Sequence, residues 1–163
     1  MAKKDEKTNV MRILDQRKIA HKEYNYETEG APSGVECANI IGLPCEMVFK
    51  TLVTAGTKGR HYVFMVPVAE ELDLKKAAKA AGDKNIALVP SKELLELTGY
   101  IHGGCSPIGM KKYFPSFIDT SAEALDTIAF SAGKIGHQVE MKLSDLRSIV
   151  KLDSADLTKD HQD

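Results

Sequence analysis

The chain has 163 residues (17.9 kDa), with 43% hydrophobic and 28% charged residues and a net charge of −1. A chain of this size buries one domain's core without disulfides, and no apolar run of about 18 residues offers a membrane-spanning helix. The even charge balance excludes a protein that grips a long stretch of nucleic-acid backbone, which takes a marked basic excess; any such contact is expected to be short or confined to one end.

Residues 1–7 are charged and lack an apolar stretch, so they are expected to form a flexible tail and no signal peptide, which points to the cytoplasm. Thr8 or Asn9 can cap a helix carrying Val10, Ile13 and Leu14 at helical spacing, ending near Lys18. His21 to Tyr26 alternates as a strand. Ser33-Gly34-Val35-Glu36 has the capping-box pattern and Gly42 suits a helix end, which predicts a helix over 33–41. Val48 to Thr54 and His61 to Val68 read as a hairpin across Gly56-Thr57-Lys58-Gly59.

Asp73 caps an alanine-rich helix, Leu74 to Ala81, stopped by Gly82. A short strand over Asn85 to Val89 and a helix capped by Ser91 and reaching Thr98 follow. Phe117 to Asp119 reads as a strand and Ser121 to Leu125 as a helical turn. Ile128 to Ser131 pairs with Gln138 to Met141 across Gly133-Lys134-Ile135-Gly136, and a helix over Leu143 to Val150 leads into a polar tail. Strand pairs joined by tight turns make antiparallel neighbours. The expected fold is therefore α+β (α/β mixed): one domain, 8–157, with a mixed, largely antiparallel, curved sheet and packed helices, and a polar C-terminal tail over 158–163.

Between Gly99 and Gly109 lie four glycines, a proline, Cys105 and Ser106. Glycine lets backbone approach a ligand closely and can turn N–H groups toward an anion or a polarised carbonyl. Lys50 lies on one face of its strand with Val48 and Leu52, while Phe49, Thr51 and Val53 share the other. A lysine so flanked either snorkels at the sheet's rim or points into a pocket. Cys105 could be a nucleophile with His102 or His137 as base, or a small apolar filler beside a tight loop. The three cysteines contain no Cys-x-x-Cys pair and the five histidines are scattered, so neither a metal site nor a cofactor is expected. The clusters Lys75-Lys76-x-x-Lys79, Lys58-x-Arg60 and Lys111-Lys112 read as solvated faces or RNA contacts.

Four motifs occur in order: Val48-Phe49-Lys50-Thr51-Leu52; Leu72-Asp73-Leu74-Lys75-Lys76-Ala77-Ala78-Lys79; Thr98-Gly99-Tyr100-x-x-Gly103-Gly104-x-Ser106-Pro107-x-Gly109-x-Lys111-Lys112; and Ser131-x-Gly133-Lys134-x-Gly136. From about residue 8 to 157 the chain thereby resembles the YbaK/EbsC family, free-standing aminoacyl-tRNA deacylases related to the editing domain of bacterial prolyl-tRNA synthetases. The resemblance implies hydrolysis of the ester between a wrong amino acid and the 3′-terminal adenosine of tRNA, chiefly cysteine on proline tRNA and also Cys-tRNA(Cys). It implies aminoacyl-tRNA as partner, and offers prolyl-tRNA synthetase as a second one. Lys50 matches the lysine on which family activity depends. Gly103, Gly104, Ser106, Pro107 and Gly109 match the loop that cradles the aminoacyl ester and terminal ribose, and Tyr26, Thr51 and Ser131 fall where relatives line the pocket. Gln138 stands where some relatives carry an aspartate.

The implied chemistry has no protein nucleophile: the substrate's own thiol attacks its carbonyl to give a thiolactone. Lys50 would then anchor the terminal nucleotide and polarise the ester, with loop N–H groups around Gly103–Ser106 on the carbonyl oxygen. Two other readings compete: a Cys–His thiol hydrolase built on Cys105 and His137, and a non-catalytic module that binds tRNA ends or a synthetase.

Overall fold

The computed structural model describes residues 7–160; the expected tail residues 1–6 and 161–163 lie outside them. Helix α1 (Asn9–Gln16) opens where Thr8 Oγ1 accepts from the Met11 N–H at 3.2 Å, and it buries Val10, Met11 and Leu14. Strand β1 (Lys22–Asn25) precedes α2 (Gly34–Ile41), whose capping box joins Ser33 and Glu36 in both directions. Strands β2 (Phe49–Ala55) and β3 (His61–Pro67) form the expected antiparallel hairpin, from Phe49 opposite Pro67 to Ala55 opposite His61. Helix α3 (Leu74–Ala81) starts at Asp73, whose carboxylate accepts from the N–H groups of Lys75 and Lys76.

Strand β4 shrinks to Ala87–Leu88, and α4 (Ser91–Thr98) differs from expectation at its start. Ser91 is its first helical residue, Pro90 takes the cap position, and no side chain caps the end. Then come β5 (Ser116–Asp119), β6 (Ile128–Ser131), β7 (His137–Met141), α5 (Leu143–Arg147) and β8 (Leu152–Ala155). The last of these corrects the expected polar tail. Leu-Asp-Ser-Ala has little strand propensity, yet β8 pairs in parallel along β5, from Ser116 opposite Leu152 to Asp119 opposite Ala155. It occupies an outer position of its sheet, where two exposed polar residues are tolerated. The residues beyond it are tied down as well: the Lys76 ammonium donates to the Thr158 carbonyl at 2.7 Å, and the Lys159 N–H donates to the Glu71 carbonyl at 3.0 Å.

The strands form two sheets, β1-β7-β6 and β4-β2-β3-β5-β8. Four pairings are antiparallel and two parallel, which makes the architecture α+β and largely antiparallel. Among the described residues a bridge between Val48 and Ala129 joins the sheets beside β2. The main core fills the angle between them, where α1 and α5 bring Met11, Leu14 and Leu146 against Met65, Ile118, Phe130 and Val139. A second cluster packs α3 through Ala77 against Phe64, Val66 and Leu72.

The consequence for the site lies along β2. Strand β4 covers only Thr54 and Ala55, and the Val53 carbonyl takes the Val89 N–H at 3.1 Å. The Val48 carbonyl accepts from Val68 N–H on the opposite side. Since peptide groups alternate sides along a strand, Thr51 turns its amide and carbonyl away from β3, on the stretch that β4 leaves uncovered.

Candidate active site

That uncovered stretch forms one wall of a cavity of about 190 Å³. Val48, Phe49, Lys50, Thr51 and Leu52 supply the β2 wall, and Pro32, Ser33, Gly34 and Cys37 bring the start of α2 against it. Gly34 is required there because a Cβ would lie 2.6 Å from Val68 Cγ1. Ser131 and Gln138 come from β6 and β7, Leu94 from α4, and His102, Gly103 and Cys105 from the glycine-rich loop. Lys50 and the loop therefore meet in one cleft, although they are far apart in sequence.

Lys50 is half-buried, and burial lowers its pKa from the ordinary 10.5. Glu71 and Glu70 oppose that shift by charge attraction alone, without a side-chain hydrogen bond to the ammonium. Lys50 is also one of the residues that line the cleft. Beside it, the Thr51 hydroxyl is buried with no hydrogen-bond partner among the described residues. An orphaned buried hydroxyl is costly, and a ligand in the cleft would satisfy it. Ser131 Oγ accepts from the Gly133 N–H at 3.2 Å, which leaves its own hydrogen to donate. The Gln138 amide donates to the Tyr26 hydroxyl at 3.3 Å, so Tyr26 stands behind the wall and holds Gln138 in place. Burial raises the Tyr26 pKa well above 10, and Cys37 adds to the shift.

The loop residues divide. Gly103 lines the cleft with positive φ (+87°), 3.2 Å from the Ala31 side chain if it bore a Cβ. Gly104 lies behind it, where a Cβ would stand 3.3 Å from the Lys134 Cα, so this bend packs backbone to backbone against the β6–β7 turn. Its N–H is engaged with the Ile101 carbonyl at 3.0 Å, so it is not available to a ligand's carbonyl oxygen as the sequence reading expected. Ser106 is fully buried and its Oγ accepts from Ile108 N–H, an internal brace of the loop. Pro107 and Gly109 face a separate cavity. Of the five loop residues expected to cradle the substrate, only Gly103 lines the cleft, with His102 and Cys105 beside it.

Cys105 and His137 do not form a dyad. Burial pushes the Cys105 thiol up to about 12, with the Thr98 hydroxyl opposing weakly, and its sulfur packs with Val53, Val63 and Leu94. His137 is 1% exposed and its Nδ1 bonds Asn25 Oδ1 at 2.6 Å, away from the cleft lining. Cys37 and Leu52 were not singled out from the sequence. Cys37 lies one helical turn after the Ser33 cap, which is the signal that could have set it beside Ser33. Among the described residues, Asp15, His21 and Glu23 could converge on a cation, but the Lys7 ammonium already bonds Asp15 at 3.0 Å and Glu23 at 2.9 Å.

Comparisons with known proteins fit this geometry. The aminoacyl-tRNA editing domain family matches residues 28–149. A protein of Enterococcus faecalis provisionally named Cys-tRNA(Pro)/Cys-tRNA(Cys) deacylase EbsC is 43% identical over 161 residues, 97% of this chain and 98% of that protein. A proline–tRNA ligase of Fervidobacterium nodosum is 26% identical over 99 residues, 61% of this chain and 17% of the ligase. A crystal structure provisionally described as a trans-editing enzyme for prolyl tRNA synthetase has the same fold, with a TM-score of 0.81 and 24% identity over 95% of this chain and all of that one. No helix among the described residues is long and apolar enough to cross a membrane.

Proposed function

Because this chain belongs to the aminoacyl-tRNA editing domain family, we propose that it hydrolyses the ester of mischarged tRNA, with cysteine on proline tRNA as the main substrate and Cys-tRNA(Cys) as a second, in the cytoplasm. The observation that carries the reading is that Lys50 and Gly103 line one small cleft. A cleft of about 190 Å³ suits a small amino acid joined to the edge of a ribose. Size is the basis of selection, because a pocket rejects what it cannot hold far better than it ranks what it can.

An aminoacyl ester is already activated, so holding it and stabilising the developing oxyanion supply the rate. The Lys50 ammonium faces the ester carbonyl and the terminal nucleotide, Thr51 gives its hydroxyl and strand edge to the α-amino and carboxyl end, and Ser131 donates from the opposite wall. With cysteine as the amino acid, its sulfur attacks the ester carbon as the thiol proton is lost. The bond from that carbon to the ribose oxygen breaks, the ribose oxygen takes a proton, and a thiolactone leaves to be opened by water. Cys105 is not needed, in keeping with a thiol that burial holds protonated. Prolyl-tRNA synthetase is the partner that could present the tRNA, so that a nearly neutral protein needs few phosphate contacts of its own.

The test is direct: purified protein is incubated with Cys-tRNA(Pro) and ester loss is followed against buffer. Accelerated loss that disappears in Lys50→Ala is the expected result. No acceleration over buffer, with tRNA still bound, leaves a non-catalytic tRNA-end module instead.

A further inference from the structure

The glycine-rich loop has two faces, and the deacylase reading uses only one. On the other, Pro107 lines a second cavity of about 350 Å³ with Lys112, Tyr113, Ile149, Val150 and Lys151. Its floor is apolar where Ile149 and Val150 pack on the main core. Its rim carries the exposed Lys112 and Lys151, and no carboxylate lines it. Tyr113 is 58% exposed, the most of any large apolar or aromatic side chain described. It is nevertheless held, since its hydroxyl donates to the Lys151 carbonyl at 3.1 Å. An exposed ring anchored at its hydroxyl, in a cavity that two lysines also line, offers a stacking platform for a base whose flanking phosphates meet the ammonium groups.

Cys105 lines the first cavity and Pro107 the second. Two residues of chain span at most about 7 Å, so the walls of the two cavities meet in one stretch of the loop. We infer that this second cavity holds the unpaired nucleotides preceding the terminal adenosine of the same tRNA, with a base stacked on Tyr113 and phosphates met by Lys112 and Lys151. The inference rests on the reading of the first cavity as the ester site. It deepens that reading by giving the single-stranded 3′ end its own contact. Asp153 acts on the Tyr113 hydroxyl but does not line the cavity, so the lining charge remains positive. Two lysines and one ring form a focused contact of the kind that a protein with net charge −1 can offer RNA.

The experiment measures binding of uncharged tRNA, which needs no hydrolysis, in a double-mutant cycle. The protein is wild type or Tyr113→Ala, and the tRNA is intact or lacks the bases of the two nucleotides before its terminal adenosine. Removing the bases is expected to weaken wild-type binding by about tenfold, the size of one stacked base, and to change Tyr113→Ala by less than about twofold. Tyr113→Phe, which keeps the ring, should retain wild-type affinity within about threefold, which separates stacking from damage to the loop. The double variant Lys112→Ala, Lys151→Ala should reduce the magnitude of the slope of log affinity against log salt by about 1.4, since each single-strand phosphate contact contributes about 0.7. Equal loss on base removal in wild type and Tyr113→Ala, or a salt slope unaltered in the double variant, overturns the inference. A protein that passes this cycle yet leaves Cys-tRNA(Pro) intact overturns the deacylase reading and not the groove. One that cleaves the ester but fails the cycle does the reverse.

Discussion

The two ends of the β2–β3 hairpin treat polar groups in opposite ways. At the turn end, Asp83 accepts from the Tyr62 hydroxyl at 2.8 Å, from Thr57 Oγ1 at 2.9 Å and from the Thr57 N–H at 3.1 Å. Gly56 lies so close that a Cβ would stand 2.3 Å from Asp83 Oδ2. At the open end, Lys50 reaches its nearest carboxylates only through space and the Thr51 hydroxyl has no partner at all among the described residues. The same two strands thus carry a closed network at one end and unsatisfied groups at the other. Satisfied groups hold a fold together, whereas buried groups left waiting mark where a ligand completes the structure.

Breaking the open end should therefore damage chemistry and leave the fold. Lys50→Ala is expected to lower kcat/KM for Cys-tRNA(Pro) by about a hundredfold, the scale of a lost preorganised electrostatic contact, with an unchanged melting midpoint. A fall below about threefold would return Lys50 to a rim lysine. The pH profile sharpens the same point. Burial favours the neutral amine, so Lys50 loses its charge at lower pH than a lysine at the ordinary 10.5. The rate should fall on the alkaline side with a midpoint below that value, and Lys50→Arg should move the limb upward because a guanidinium stays charged.

Thr51→Val is the subtler probe of the same end, since it removes the hydroxyl and keeps the shape. One hydrogen bond to substrate is worth about fivefold in kcat/KM, and the variant should melt no lower than wild type because an unpartnered buried group has gone. Urea titration together with steady-state kinetics reads both effects, and a loss of stability with an unchanged rate would show that the hydroxyl serves the fold.

At the closed end the pattern should invert. Asp83→Asn is expected to lower the melting midpoint while kcat/KM stays within about twofold. Burial alone would raise the Asp83 pKa, but the hydrogen bonds from Tyr62, Asn85 and Thr57 outweigh it and hold the carboxyl well below 3.8. A carboxyl depressed in the folded state stabilises above its unfolded pKa, and that contribution is lost as pH falls through the folded value. Wild type should therefore lose stability on acidification below about pH 4 more steeply than Asp83→Asn, as thermal melts across that range will read.

The local elements were legible because their signals are local. The capping box at Ser33 and Glu36, the Asp73 cap and the hairpin over 49–67 needed only neighbours in sequence. Strand β8 was not legible, since Leu-Asp-Ser-Ala becomes a strand only because β5 offers it a free edge. In the cleft, the alternation along β2 set Lys50 and Thr51 on opposite faces, but both reach the cavity because it lies along the strand's uncovered edge and not on either face. The glycine motif identified the loop correctly as special without revealing its two sides. Gly103 and Cys105 turn to one cavity and Pro107 and Gly109 to the other, and the buried Ser106, whose hydroxyl accepts from the Ile108 N–H, stands at the division.

The smallest expected effect is also the one that separates the mechanisms. Cys105 is 7% exposed, packs with Val53, Val63 and Leu94, and burial pushes its thiol up to about 12. A thiol in that state is neither a ready nucleophile nor a ready base at neutral pH. Cys105→Ala should leave ester hydrolysis within about twofold of wild type, and its cost should appear as a slightly lower melting midpoint from the space the sulfur leaves. Loss of hydrolysis comparable to that in Lys50→Ala would instead make the chemistry protein-borne and transfer the attacking sulfur from substrate to enzyme. Trapping with a thiol-alkylating reagent distinguishes the two in a Cys37→Ser, Cys45→Ser background, where Cys105 is the remaining thiol: inactivation protected by substrate belongs to a Cys105 thiolate, whereas unaltered activity leaves the attack to the cysteine that the tRNA brings.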